Sequence, residues 1–281
     1  MTLPYFLGCP QWQDPNWARS LPAGSSPLAR YSSVFNCVEG NTTFYATPTQ
    51  AQCAQWRAQV PDDFRFLFKF PRHISHDRLL TDCSDDVTSF LNILSPLNDV
   101  LGPFLLQLPA AFGPAHLNNL WQFIDAMPGG LTCTVEVRNP AFFQKGEEEK
   151  ALNRGLRDRS IARVCFDSRA LFSAEPDNEA TRDAQRKKPR VPVHILPVDA
   201  PPVIRFIGHP DLEINREFLA PWVKRVGDWL DEGIRPFVFM HMPDNGEALQ
   251  LAELWCDLLR ARVQRLPKLG LETWPDQPGL F

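Results

Sequence analysis

TCTVEVR, Thr132 to Arg138, carries the pattern on which the fold turns. Its β-branched residues favour extended chain, and it closes on Glu136 and Arg138, which share a face because side chains alternate along a strand. Seven similar apolar runs accompany it: YFLG from Tyr5, FNCVEGN from Phe35, RFLFKF from Arg65 and FLLQL from Phe104, then ARVCFD from Ala162, PVIRFIGH from Pro202 and PFVFMH from Pro236. Their starts recur at roughly 30 residues or somewhat more, about one strand-plus-helix unit each. Eight such units predict an α/β protein, a single (β/α)8 TIM-like barrel with residues 1–281 as one domain. In that architecture the C-terminal strand ends converge on one mouth, so polar residues closing the runs become candidate site residues.

Bulk properties narrow the class. The chain has 281 residues, 44% of them hydrophobic, with 20 Phe and 8 Trp against 3 Tyr. That suits one large aromatic-rich core. A formal net charge of −4 supplies no basic field, which argues against a nucleic-acid partner. No apolar stretch approaches the ~20 residues of a membrane span, so no membrane partner is expected. The start, MTLPYFLG, lacks the basic and long apolar parts of an export signal, so the expected location is cytoplasmic. Seven cysteines without a C-x-x-C pair read as small buried hydrophobes of a reducing compartment. Cys9, ending the first run, also admits a nucleophilic role.

Helix signals lie between the runs. Thr47-Pro48 reads as a cap and first turn before QAQCAQWRAQ, and Ser84 as the cap of SDDVTSFLNILSPL. HLNNLWQFIDAM from His116, the stretch from Glu213 through Leu230, and LQLAELWCDLLRARV from Leu249 carry the 3.6-residue apolar spacing. Pro221 is expected at a first turn or a kink. From Ser168 to Pro201, between strands six and seven, the chain is polar and proline-rich, and a long irregular segment without a barrel helix is expected. Arg182, Arg186, Lys187, Lys188 and Arg190 cluster there, either solvated or as a flap that meets an anion at the mouth.

Parity assigns the candidate site. Lys69 lies opposite Phe66, Phe68 and Phe70, so it points into the barrel; Arg205 goes with Val203 and Ile207, and His241 with Phe237 and Phe239. Gln107 and Asp167 end the fourth and sixth strands, Glu39 nearly ends the second, and Asn41 opens the loop after it. Three cations and three acids aimed at one mouth can neutralise one another as a purely structural network, but their C-terminal position favours a site. Lys69, Arg138 and Arg205, with Asn41, Gln107 and His209, would hold a small anionic substrate bearing phosphate or carboxylate. Glu39 and Glu136 would move protons, Asp167 and Gln107 would orient them, and His241 is a further proton-transfer candidate. No cofactor is predicted. A divalent metal on Glu39, Glu136, Asp167 and a His is an alternative, opposed by the nearby cations.

Secondary candidates stand nearby. His73 and His76, in FPRHISH with Arg72, could contact substrate or cap a helix. Trp12, Trp17 and Trp56 read mainly as packing, and Asn245 as part of a turn.

At VEGNTTFY, Val38 to Tyr45, the chain resembles the YecE-like family, domain-of-unknown-function family 72. The resemblance extends through Gly8 with Trp12, Trp56 with Pro61, Phe64, Phe66 and Lys69, FPRHISH, LGPFLLQLP, VEVRN, Asp167 and RFIGH, and so covers nearly the whole chain. It implies a (β/α)8-like barrel and emphasises Glu39, Lys69, Gln107, Glu136, Arg138, Asp167 and Arg205, but it assigns no activity. Two departures, Cys9-Pro10-Gln11 after Gly8 and SLPAG after Trp17, fall in the first loop. The expected function is an enzyme of isomerase, lyase or hydrolase type acting on a small anion by carboxylate acid/base chemistry. One alternative is a metal-dependent enzyme of the sugar-isomerase kind. Another is a non-catalytic module binding RNA or protein through residues 182–190. Substrate, reaction and oligomeric state are left open by the sequence.

Overall fold

A computed structural model of the chain describes residues 3–129 and 131–272. Of the expected domain over 1–281, residues 1, 2, 130 and 273–281 lie outside the described residues, as do the first two residues of the MTLPYFLG start.

Each apolar run contains a strand. In chain order the elements are β1 Phe6–Gly8, α1 Pro27–Ser32, β2 Cys37–Gly40, α2 Thr42–Tyr45, α3 Gln50–Arg57, β3 Arg65–Phe68, α4 Ser84–Leu94 and β4 Phe104–Gln107. Then come α5 Leu117–Asp125, β5 Cys133–Glu136, α6 Glu147–Asp158, β6 Ala162–Arg163, β7 Cys165–Asp167, α7 Arg169–Ser173 and α8 Glu179–Lys187. The last four are β8 Val203–Ile207, α9 Asn215–Asp231, β9 Phe237–His241 and α10 Ala248–Arg262. The sixth run is split by Val164 into β6 and β7.

Every strand pairing is parallel, and the strands form three sheets: β1-β9-β8-β7, β2-β3 and β4-β5-β6. The fold is therefore mixed α/β with parallel sheets. The one continuous ring expected from the sequence is not drawn by the ladders, which break at three edges. Between β1 and β2, one backbone bond, from the Glu39 N–H to the Cys9 carbonyl at 3.1 Å, is supplemented by side chains. Asn36 accepts from the Leu7 N–H at 2.8 Å and donates to the Tyr5 carbonyl at 2.8 Å. The Tyr31 hydroxyl accepts from the Cys9 N–H at 2.7 Å and donates to the Cys37 carbonyl at 2.9 Å. Here only glycine fits at position 8, since a Cβ would meet the Cys37 carbonyl oxygen at 2.2 Å. Single parallel bridges, Phe66 with Leu101 and Lys69 with Leu105, link β3 to β4, and the Val164 N–H donates to the Val135 carbonyl at 2.9 Å.

Alternation sorts the strand residues into two cores. Val38, Phe66, Phe68, Phe104, Leu106, Val135, Ile204, Phe206, Val238 and Met240 pack outward with the helices. Cys37, Leu67, Leu105, Phe166, Val203, Ile207, Phe237 and Phe239 pack against one another on the opposite, inner face. Burial on both faces is why the runs are nearly continuous in apolar residues. Trp12, Trp56, Phe66 and Phe68 form an outer aromatic layer, with Trp12 and Trp56 5.2 Å apart. Trp17 is buried and donates to the carbonyls of Asn245 and Gly246, so these tryptophans serve packing.

Several local expectations are corrected. The cap of α3 is Thr49, in a reciprocal capping box with Gln52, and Pro48 precedes it. Cys83 occupies the cap position of α4, with Ser84 already helical. Pro221 falls inside α9, beyond its first turn. The segment after strand six is not wholly irregular. It holds α7 and α8, the latter capped by Asn178, which accepts from the Thr181 N–H at 2.8 Å. Among the described residues no helix is long and apolar enough to cross a membrane.

Candidate functional site

Seven polar side chains on the inner face meet where β2, β3, β4, β5, β8 and β9 end. Glu39 belongs to the face of Cys37, Gln107 to that of Leu105, and Arg205 to that of Val203 and Ile207. They form a closed cycle. Arg205 Nε and Nη2 grip the two oxygens of Glu39, each at 2.7 Å, while its Nη1 donates to Glu136. Arg138 Nε donates to Glu136 at 2.8 Å, and its Nη2 reaches Gln107 Oε1 at 2.9 Å. Gln107 Oε1 also accepts from Lys69 Nζ at 3.1 Å, and Lys69 returns to Glu39 at 3.5 Å. His241 Nε2 lies 3.1 Å from Glu39. Arg205 stands over the Phe166 ring, 5.4 Å from its centroid, which seals the inner side.

The loop after β2 builds one wall. Gly40 leaves room for Phe68, which a Cβ would meet at 2.2 Å. The Thr43 hydroxyl donates to the carbonyls of Gly40 and Lys69, tying the loop to the end of β3. Lys69 Nζ lies over Phe44, 5.8 Å from the ring centroid, and Phe44 packs edge-on against His76.

Charge decides what these groups can do. Burial alone would raise both carboxyl pKa values, but the neighbours win. Arg205, the His241 ring at hydrogen-bond distance and Lys69 hold Glu39 well below the usual range, and Arg205, Arg138 and Lys69 bring Glu136 down to about 2. Both stay ionised with their lone pairs occupied, and so are poor proton donors. His241 is lowered to about 3 by burial, against the pull of Glu39, and is neutral near pH 7. Lys69 falls to about 7, from burial first and Arg205 second, opposed by Glu39 and Glu136. Lysine rather than histidine is thus the side chain poised at neutrality.

Lys188, just past α8, is part-buried and within electrostatic reach of Arg205, Glu39, Arg138 and Glu136; burial and Arg205 lower its pKa to about 8. His76 falls to about 4 through burial, then Arg138 and Arg72. Sequence reasoning placed Lys188 only in a basic cluster and His76 among secondary candidates, and it overlooked Phe44.

Three candidates are not brought to the cycle. Asp167 pairs with Phe206 in register, on the outer face, where it accepts from Trp222 Nε1 and both side-chain and backbone nitrogens of Arg169. Its expected orienting role is corrected: it anchors α7 and α9. His209 accepts from the Asp211 N–H through Nδ1 at 2.9 Å, within a local turn that Asn215 closes. The Asn41 amide donates to the Pro10 carbonyl at 2.8 Å, joining two loops. His73 and Arg72 face Asp86 and Asp77. Cys9 is fully buried, and burial pushes its thiol pKa up, which removes it as a nucleophile. Asn245 sits in a turn with φ 61° and accepts from the Met242 N–H.

The metal alternative loses its donor set. Glu39 is occupied by Arg205 and His241, Asp167 faces away, and no group of three or more His, Cys, Asp or Glu among the described residues is arranged to hold an ion. The residues of the basic cluster also diverge: Arg186 and Lys187 pair with Asp183, Arg182 donates to the Pro176 carbonyl, and Arg190 stacks on Phe172. A cleft of about 540 Å³ beyond β7 is lined in part by Arg169, Phe172 and Arg190.

Solved structures share this mixed α/β fold. A crystal structure of a DUF72 family protein from Enterococcus faecalis V583 matches at TM-score 0.65 and 20% identity, over 96% of this chain and 99% of that one. A second crystal structure from that organism gives 0.63 and 23%, over 91% and 96%. The model of DUF72, "Protein of unknown function DUF72", matches residues 6–277, and this chain belongs to that family. It is 48% identical over 278 residues to the UPF0759 protein YecE of Escherichia coli K12, covering 98% of this chain and 99% of that one. The YecE protein of Escherichia coli O157:H7 is 47% identical over the same length.

Proposed function

We propose that this chain is a cytoplasmic, single-domain enzyme whose strands form one (β/α)8 ring and whose mouth binds a small molecule bearing phosphate or carboxylate. The observation that carries the reading is an imbalance of charge. Lys69, Arg138, Lys188 and Arg205 surround two carboxylates, Glu39 and Glu136, and Arg205 spans both of these. Arg138, with its side chain 18% exposed, and Lys188 are left to neutralise an incoming anion. The order of the runs and the single bonds across each sheet edge support the closed ring. Seven free, buried cysteines suit a reducing compartment.

Within this reading the carboxylates fix Arg205 and Lys69 in place, and the proton-exchanging group is Lys69. Titration calorimetry with inorganic phosphate tests the binding. Arg138→Ala is expected to weaken affinity by about 1.5–3 kcal/mol, tenfold or more, as for a lost charged hydrogen bond. Unchanged affinity, with the variant folded, rejects the assignment.

A further inference from the structure

Lys69 is the group in the mouth with a chemistry beyond binding. Its Nζ is held by Gln107 Oε1 at 3.1 Å, lies 3.5 Å from Glu39 Oε1, and rests over the face of Phe44. Glu39 comes from β2, Phe44 from α2, Gln107 from β4, Glu136 from β5, Arg205 from β8 and His241 from β9. Arg138, His76 and Lys188 complete the charged or titratable groups around it. Burial among other cations is the environment that frees a lysine amine for attack.

We propose that Lys69 is a nucleophile that forms an imine with the carbonyl of a small anionic 2-oxo acid or phosphorylated ketone. The inference rests on the anion-binding reading above. The Nζ lone pair attacks the carbonyl carbon, giving a carbinolamine. The carbonyl oxygen then leaves as water, carrying the two protons that nitrogen gives up, and a C=N bond remains. No oxidant or reductant enters. Arg138 and Lys188 hold the anionic group, and the electron-poor C=N carbon can then take up electrons from a neighbouring bond.

The test uses the full chain with glyoxylate or dihydroxyacetone phosphate, and sodium cyanoborohydride to reduce the imine. Peptide mass spectrometry follows adducts at Lys69 against the exposed Lys145, Lys150 and Lys224. Lys69 should be labelled at least about tenfold faster near pH 7.5, because more of its amine is unprotonated. Phosphate should suppress that labelling. Arg138→Ala should slow glyoxylate labelling but spare labelling by acetaldehyde, which carries no anionic group. Labelling of Lys69 no faster than that of the surface lysines, with phosphate still bound, overturns the imine and leaves the binding reading intact. Loss of both selective labelling and phosphate binding overturns the two together.

Discussion

Among the described residues, two clusters bury both partners of an ion pair, and they differ in balance. On the outer side of β6, Arg163 donates to Asn153 and the Phe142 carbonyl and lies 3.7 Å from Glu149. Glu149 also accepts from the Lys145 N–H at 2.7 Å and lies 2.8 Å from His194, on the segment after α8. One cation meets one acid, with neutral partners filling the remaining positions. Burial and Arg163 lower the His194 pKa. That cluster clasps α6, β6 and the 188–202 segment, and nothing is left over. At the mouth, two arginines and two lysines of lowered pKa face two acids. Burial of charge alone therefore marks no site; the proposed site rests on the unspent charge at the C-terminal strand ends.

Removing the central cation of each cluster sharpens the contrast. Arg205→Met leaves Glu39 with only Lys69 and His241 and Glu136 with only Arg138, and should cost about 3–5 kcal/mol in denaturant unfolding. Arg163→Met leaves Glu149 with the Lys145 N–H and His194, so a loss of about 1–3 kcal/mol is expected. Equal losses would erase the distinction.

A further effect appears with pH. The folded chain releases the Lys69 proton near 7, the unfolded chain near the ordinary 10.5. Between these values the unfolded state binds more protons, so this group makes stability rise with pH, while its penalty is fully present below 7. The stability of Lys69→Met relative to wild type should accordingly decline from pH 7 to 10.5. A flat difference would show that the amine is not depressed.

Most of this arrangement was legible in the chain. The eight runs marked the strands, and alternation placed Lys69, Arg205 and His241 on the inner face, because their neighbours on the opposite face are uniformly large and apolar. Asp167 could not be placed that way. It shares parity with Arg163 and Cys165, and the opposite face, Ala162, Val164 and Phe166, is wholly apolar, so the same rule would turn it inward; the pairing with β8 turns it outward. Helix α8 left readable signs, an Asn178 cap, an early Glu179 and late Arg186 and Lys187, but its buried stripe is short. The broken ladder between β1 and β2 depends on Asn36 and Tyr31 meeting strands from distant parts of the sequence, which no local pattern announces. The same holds for Lys188, whose place at the mouth follows from the path of the segment after α8.

Crystals soaked in phosphate test the central claim most directly. The account predicts an anion within hydrogen-bond distance of Arg138 and Lys188, with Arg205 still spanning Glu39 and Glu136. A mouth without an anion, beside a phosphate held only at Arg169 and Arg190, would contradict it.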